Sequence, residues 1–358
     1  MPTIAAPALT DYVTRIFGAA GSPPEEARQV ADHLVGSNLR GHDSHGVIRT
    51  AGYVRSVAEG LLKPGAPVTV VRESPATALV DGGWNFGQPV AIQATEIAIA
   101  KARETGVGFV SCFNAGHIGR VGAYGEQAVA QGMLALGGVN SPGGRLTAAF
   151  GGSTRRNGTS PLMVAMPSGS PDAPFVLDMA TSVVAEGKLK VAVNEHKPVP
   201  DGWILDGNGQ PSNDARDFYG TGQVEAPGTL LPLGSPFSGY KGFGLNMAIE
   251  ALSGILSGAG TSVEGPRGSN GVWLMALDIS RFLPLEDFQR EFDTLVAFDK
   301  EPPYAPGHDE ILTAGEPERR RMAVRLQAGI DLDPETWRQI GEAALSVGVE
   351  PLEPAALG

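Results

Sequence analysis

A single cysteine, Cys112, stands among the 358 residues, which excludes an intramolecular disulfide framework. No Cys/His spacing matches a structural zinc site, so a reducing, cytoplasmic setting and no metal are expected. Charge is scarce as well: Asp, Glu, Lys and Arg make up 18% of the chain, below the roughly 25% usual in soluble domains. What charge there is leans acidic, with 27 Lys and Arg against 39 Asp and Glu for a net −12. Nucleic acid and acidic lipid would each want a basic face, so neither is expected as a partner. No run could span a bilayer without a charge, a proline or a glycine cluster, and the amino terminus has neither a basic start nor a sustained apolar stretch.

Glycine, by contrast, is abundant. Its 49 residues are about twice the usual share of roughly 7%, and they sit in short clusters between apolar runs with no collagen-like period. That placement suits tight turns and backbone lying close to a ligand. With 42% hydrophobic residues the chain is packed and globular, and its length predicts two domains, or a large domain with a small accessory one.

Residues 10–60 read as helical. Ser22-Pro23-Pro24-Glu25 resembles a capping-box start, followed by Ala27, Val30, Ala31, Leu34 and Val35 on one stripe. A second helix is predicted from Ser44 to about Gly60. Strand-like runs then alternate with helices: Val68–Val71, Ala78–Val80, a helix over Gln88–Glu104, a buried strand over Val107–Phe113, a helix over Gly122–Gln131 and a strand over Met133–Val139. Pro161–Met166 and Phe175–Met179 are further strands, Thr181–Val193 a helix, Leu245–Leu256 an apolar helix, Val272–Ile279 a strand and Leu285–Phe298 an amphipathic helix. This alternation indicates an α/β fold. Asn194–Leu231 has no clear periodicity and reads as a long loop. Residues 316–328 and the segment opened by Asp333-Pro334-Glu335 return to helix and are expected to pack beside the amino-terminal helices.

Common catalytic motifs are missing. The chain has no Gly-x-Gly-x-x-Gly, no P-loop, no Gly-x-Ser-x-Gly and no His-Glu-x-x-His, which disfavours Rossmann, nucleoside-triphosphate, hydrolase-elbow and zinc-protease readings. His45, Arg49 and Tyr53 fall at i, i+4 and i+8, so one helix face would present an imidazole, a guanidinium able to fork a carboxylate, and a phenol. The same spacing also fits an ordinary solvated face. Asp43 and Ser44 beside His45 suggest a serine nucleophile, but neighbours in sequence seldom face each other on a helix.

His117 follows a buried strand among small residues, where α/β proteins bind ligands and where an imidazole can exchange a proton near neutral pH; a histidine capping a helix is the alternative. Gly151-Gly152 with Arg155, Arg156, Thr159 and Ser160 could hold phosphate or simply turn before a strand. Thr181 and Ser182 after Asp178-Met179-Ala180 could cap a helix or receive pyrophosphate. Gly239-Tyr240-Lys241-Gly242 opens the apolar helix, with Lys241 a possible phosphate contact.

Taken in order, Arg40-Gly-His-Asp-Ser-His-Gly-Val-Ile-Arg49, Gly116-His-Ile-Gly-Arg120, Gly158-Thr-Ser-Pro161, Asp178-Met-Ala-Thr-Ser182 with Gly187-Lys188, Tyr240-Lys-Gly-Phe-Gly244 and Gly315-Glu-Pro-Glu318 resemble the malate/L-lactate dehydrogenase family that is unrelated to the Rossmann enzymes. The resemblance covers nearly the whole chain, and Gly116–Gly122 and Asn194–Gly209 look most like the hydroxycarboxylate dehydrogenase B branch. It implies the family's own α/β fold: helical amino- and carboxy-terminal segments, 1–70 with 310–358, packed with a mixed-sheet cofactor- and substrate-binding domain, 71–309.

The resemblance also implies an NAD- or NADP-dependent oxidoreductase of small 2-hydroxy or 2-oxo acids, usually a homodimer with its active site near the subunit interface. By motif match His117 would be the acid/base, with His45 and Arg49 also catalytic and Ser44, His45, Arg49 and Tyr53 the substrate shell. His45, Ile118, Gly119, Arg120, Ser141, Thr159, Asp178, Met179, Ala180, Thr181, Ser182, Tyr240, Lys241, Asn270, Gly315, Glu316, Pro317 and Glu318 would hold the cofactor. Ser160 stands where the family often has Asn, and Tyr240 where it often has His or Pro. Arg49, Arg120 and Lys241 are expected to form a cationic pocket in the acidic chain. The same fold also supports reduction of cyclic ketimine carboxylates, and a noncatalytic ligand-binding protein is the reading from another class.

Overall fold

A two-residue strand, β1 (Thr3–Ile4), and two helices, α1 (Ala6–Ala19) and α2 (Pro24–Leu39), open a computed structural model that describes residues 2–266 and 268–353. The last five positions of the expected carboxy-terminal segment, 354–358, lie outside the described residues. Leu9, Val13, Ile16 and Phe17 of α1 face Val30, Ala31, Leu34 and Val35 of α2 in one apolar core, as helical spacing requires. The capping box at Ser22 does not form. Pro23 is the N-cap with Pro24 in the first turn, and Ser22 Oγ is buried without a hydrogen-bond partner; the restricted φ of the two prolines sets the helix entry without a side-chain cap.

The single helix expected from Ser44 to Gly60 is divided. Two 3-10 turns, Asp43–His45 and Val47–Arg49, precede a shorter helix, α3 (Thr50–Ala58). Gly46 between the turns is extended (φ −90°, ψ −155°). The Asn38 side chain occupies the space a Cβ at 46 would need and accepts a hydrogen bond from the Val47 N–H (2.8 Å), so tertiary contact overrides the helical pattern.

Strands β2 (Thr69–Glu73) and β3 (Thr77–Asn85) pair antiparallel, and helix α4 (Gly87–Thr105) returns the chain to β4 (Val107–Gly116), parallel to β3. Helix α5 (Gly122–Val129) leads to β5 (Met133–Asn140). Short strands β6 (Thr147–Ala148) and β7 (Arg155–Asn157) precede β8 (Leu162–Met166) and β9 (Phe175–Met179). Helix α6 (Glu186–Glu195) starts five residues later than the sequence pattern suggested. Thr181 and Ser182 therefore cap nothing: the Thr181 hydroxyl donates to Thr159 O (2.9 Å) and that of Ser182 to Val184 O (2.8 Å).

The stretch 194–231 is not a plain loop. It supplies β10 (Ile204–Leu205), β11 (Pro211–Ser212), helix α7 (Ala215–Tyr219) and β12 (Thr229–Leu230), which join β6 and β7 in a five-stranded sheet over a small core that includes Val184, Leu189, Ile204, Phe218 and Leu230. Elements of two residues are too short to show a period. Arg155 is built into this unit: its guanidinium lies 4.2 Å from the Phe218 ring and donates to Gly228 O (2.7 Å) and to Phe218 O. It is a structural arginine, so of the two arginines in 151–161 only Arg156, which is exposed, is open to an anion.

Helix α8 (Gly239–Glu250) runs into a π-helical turn and then β13 (Ser269–Asp278). That strand completes a seven-stranded sheet ordered β2-β3-β4-β13-β5-β8-β9, in which β3 and β4 run parallel and every other neighbouring pair antiparallel. Helices α4 and α5 pack on the sheet through Val90, Ala94, Ala98, Tyr124 and Ala128. After helices α9 (Leu285–Asp299) and α10 (Glu316–Ala328), strand β14 (Ile330–Asp331) pairs with β1, and helix α11 (Pro334–Ser346) returns to the first core with Ile340 and Ala344. The Asp333 carboxylate accepts from Thr336 N–H (2.9 Å), the N-cap the sequence predicts.

Candidate active site

Where β4 ends at Gly116, the chain enters His117–Arg120, and the residues proposed from sequence converge on it. Tyr53 reaches down from α3, its hydroxyl 2.7 Å from His117 Nδ1 and 3.2 Å from His117 O. The His45 and His117 rings stack at 5.5 Å with 23° between their planes. Ser44 Oγ lies 3.0 Å from His45 Nδ1. Arg49 donates from Nε to Ser44 O (2.7 Å), and among the described residues no partner occupies its two terminal amino groups. That edge is the one that forks a carboxylate. Ser44, His45, Arg49, Tyr53 and His117 thus meet, gathered by a turn, a helix and a strand end and not by one helix face.

Side chains from four elements hold the His117 loop. His33 of α2 accepts from Arg120 N–H at Nε2 (2.9 Å), Asn270 of β13 accepts from Ile118 N–H (2.9 Å), and Tyr124 of α5 donates to Ile118 O (2.5 Å). Tyr53 bonds as above, and Gln88 of α4 donates to the Tyr53 hydroxyl (3.1 Å). Gly119 sits at φ +75°, with the His33 ring where a Cβ would fall, so no other residue fits there without displacing His33. Asn270 also donates to Ser141 Oγ (3.2 Å), which brings together two residues matched from distant parts of the sequence.

The expected cationic pocket is corrected. Arg120, 3% exposed at its side chain, is paired with Glu126 (2.6 Å), which also pairs with Arg40 (3.0 Å). Lys241 and Tyr240 are exposed at the start of α8, with Lys241 Nζ 5.9 Å from the Tyr240 ring centre. Of the three cations, Arg49 alone stands beside His117.

Arg120, Gly315 and Glu318 line a cleft of about 710 Å³ together with Arg40, Val176, Arg319 and Met322, a volume in the range that takes small molecules and cofactors. Asp178, two residues along β9 from the cleft-lining Val176, accepts from Gly122 N–H (2.7 Å). Glu316 is held by Lys300 (2.5 Å) and by Thr313 N–H (2.6 Å). Thr159 and Thr181 are joined to each other and, through Asn246 Nδ2 (2.9 Å to Thr181 Oγ1), to α8. Ser160, at φ +27°, donates to the buried Glu250 (3.1 Å).

Burial and neighbouring cations keep the site's histidines neutral. Desolvation and then Arg120 push His33 down to about 3; desolvation and then Arg49 bring His45 to about 3 as well. His117 is held well below the usual histidine value by burial, then by Arg49, His45 and His33. The unfolded chain protonates its histidines near pH 6.5, whereas the folded one resists. Stability should therefore be full above about pH 6.5 and fall as the pH drops toward the folded values, with unfolding taking up protons. Urea midpoints measured from pH 7.5 to 4.5 should decline steadily, less so in His33→Gln; a flat profile would contradict the neutral assignment.

Reading the sequence missed His33, Gln88, Tyr124 and Glu126. Gln88 and Tyr124 carried a usable signal, being polar groups in the apolar stretches of α4 and α5, both buried. His33 and Glu126 sit on mixed faces where nothing local distinguishes them.

A family profile described as Malate/L-lactate dehydrogenase matches residues 4–341. The malate dehydrogenase of Pyrococcus horikoshii is 36% identical over 352 residues, covering 96% of this chain and 95% of that one. A solved malate dehydrogenase structure from the same organism superposes with a TM-score of 0.87 at 34% identity, covering 98% and 97%. Hydroxycarboxylate dehydrogenase B of Escherichia coli O157:H7 is 34% identical over 350 residues, 95% and 93% of the two chains. The structure of a Δ1-piperideine-2-carboxylate reductase from Pseudomonas syringae pvar. tomato superposes with a TM-score of 0.80 at 26% identity, covering 96% and 100%.

Proposed function

The chain belongs to the malate/L-lactate dehydrogenase family, and from that premise we propose that it is an NAD- or NADP-dependent oxidoreductase acting at C2 of a small 2-hydroxy or 2-oxo carboxylic acid. The observation that carries the reading is the unpartnered amino edge of Arg49 beside a neutral His117. A carboxylate forked by Arg49 would set the adjacent C2 oxygen near an imidazole able to exchange its proton. The cleft lined by Arg120, Gly315 and Glu318 has room for a cofactor, and Asn270 and Ser141 border the His117 loop that Arg120 ends. When bound, the nicotinamide supplies the carbon that takes or gives hydride.

In oxidation, neutral His117 takes the hydroxyl proton; in reduction, a substrate carboxylate on Arg49 would offset the cation that opposes protonation of His117, and the imidazolium so permitted returns a proton to the carbonyl oxygen. Arg49 holds the carboxylate throughout, and His45, stacked on His117, shields it from bulk water. Absorbance of NADH and of NADPH should fall when the protein is given a panel of 2-oxo acids. Consumption of neither cofactor with any acid would overturn the reading. The structural likeness to a piperideine-carboxylate reductase favours a second reading, in which the proton goes to a ketimine nitrogen; turnover of cyclic imines without turnover of 2-oxo acids would select it. Cofactor binding without any turnover would mark a noncatalytic protein.

Arg49→Lys should raise KM and lower kcat, by about tenfold in kcat/KM, since an ammonium cannot reproduce the planar fork; unchanged constants would remove Arg49 from the carboxylate. We further propose a homodimer in the cytoplasm. Phe237, Met247, Ile255, Leu256 and Val263, on and around α8, are 92%, 56%, 68%, 56% and 78% exposed, large apolar side chains close in sequence of the kind a partner surface would cover. Sedimentation at micromolar concentration should give twice the 37.1 kDa chain mass, and Met247→Glu with Ile255→Glu should give the monomer. A monomer for the unaltered protein would refute the interface.

A further inference from the structure

Hydrogen-bond capacity around Tyr53 constrains the site beyond what the family assigns, given the acid/base reading of His117. Tyr53 is 7% exposed, and its hydroxyl has one proton and two acceptor positions. Gln88 Nε2, on a side chain with no exposure, donates to it (3.1 Å). His117 O, 3.2 Å away, and His117 Nδ1, 2.7 Å away, compete for the hydroxyl's one proton, and the Nδ1 contact runs in whichever direction the tautomer sets. Gln88 Oε1, as placed, is buried without a partner. Turned toward Tyr53, the amide lets Oε1 accept the hydroxyl proton over the same 3.1 Å contact, and Nδ1 must then donate to the hydroxyl. That arrangement gives Oε1 a donor and fixes the tautomer.

We propose that Gln88 is a positioning residue of the acid/base centre: through Tyr53 it holds His117 in the Nδ1–H tautomer, leaving Nε2 as the atom that exchanges a proton with substrate. Tyr53, expected from sequence to touch substrate, has its hydroxyl fully occupied within the protein and acts through His117. A neutral imidazole that carried its proton on Nε2 could not serve as base toward a hydroxyl on that side, so the tautomer decides whether the oxidation runs.

The charged and titratable groups facing His117 are Tyr53 from α3, His45 and Arg49 from the preceding turns, and His33 from α2. The last three oppose its protonation and are untouched in variants at 53 or 88, so they do not confound the comparison. An Nδ1–H donor is strengthened when the ring becomes cationic, so Tyr53 as acceptor favours the imidazolium. Tyr53→Phe should therefore move the acid limb of the kcat/KM profile for oxidation to lower pH. If Tyr53 instead donates to Nδ1, its removal frees that lone pair and the limb moves to higher pH.

The test begins with nitrogen NMR of the full-length protein labelled at histidine, His117 being identified by the signal lost in His117→Gln. A protonated Nδ1 with a bare Nε2 supports the proposal, and an Nε2–H ring overturns it, whether or not any variant folds. Gln88→Met, nearly isosteric and without hydrogen-bonding groups, should turn the signal into a tautomer mixture and lower kcat about tenfold with KM unchanged. A wild-type tautomer and wild-type kcat in Gln88→Met would remove Gln88 from the role. His117→Ala at wild-type turnover would instead sink the acid/base reading, a result separate from the tautomer.

Discussion

His117→Ala is expected to lower kcat by at least about 10²-fold, the usual contribution of a positioned general acid/base, with a smaller change in KM because Arg49 still binds the carboxylate. The expectation is specific because the replacement removes one ring and leaves its supports. His33, Tyr124 and Asn270 hold the backbone of residues 118–120 and do not depend on the imidazole. His45, whose ring centre is 5.5 Å away and whose Nδ1 faces Ser44, would have to shift to replace it. Steady-state rates in both directions, with circular dichroism to confirm the fold, check the outcome. Turnover near wild type would mean that another group moves the proton.

Glu126→Ala should destabilise the protein by about 3–5 kcal/mol, the cost of leaving a buried charge without its partner. Arg120 is 3% exposed and its Nε already lacks an acceptor, so Glu126 supplies its compensation, while it also engages Arg40. The urea midpoint of the variant should fall sharply. Replacing the buried pair together, Arg120→Met with Glu126→Leu, should recover much of the loss, because the penalty belongs to the orphaned ion and not to the absence of the pair. An unchanged midpoint for Glu126→Ala would show that water or Arg40 rearrangement solvates Arg120. The same pairing explains why an arginine in a glycine-rich loop need not be a free anion site.

Much of the architecture was legible wherever periods were long. Helices over 87–105, 122–129 and 285–299 and strands over 107–116, 133–140 and 269–278 lie where apolar spacing puts them. The reading failed where tertiary contact overruled local pattern. Gly46 is pulled into an extended turn by Asn38, and the two-residue strands of 194–231 are formed by pairing with one another and, at β12, with β6. The candidate site was legible in its residue types and illegible in its wiring. His45, Arg49 and Tyr53 do meet His117, but through a broken helix, and Arg120 and Lys241 do not join Arg49 in a shared cationic pocket.

By itself the sequence determined the chemistry available. A single thiol, a thin and acidic charge content, and ordered motifs around His45, His117, Asp178 and Gly315 excluded most classes and pointed to one family. Only the tertiary structure decided which groups are free to act. Arg49 keeps an open amino edge while Arg120 is neutralised, and the hydroxyl of Tyr53 is spent on His117 and Gln88. The physical reason is that protonation, tautomer and charge are properties of pairs, set by burial and by partners as far as 35 and 152 residues away along the chain, and no local pattern of residues carries that information.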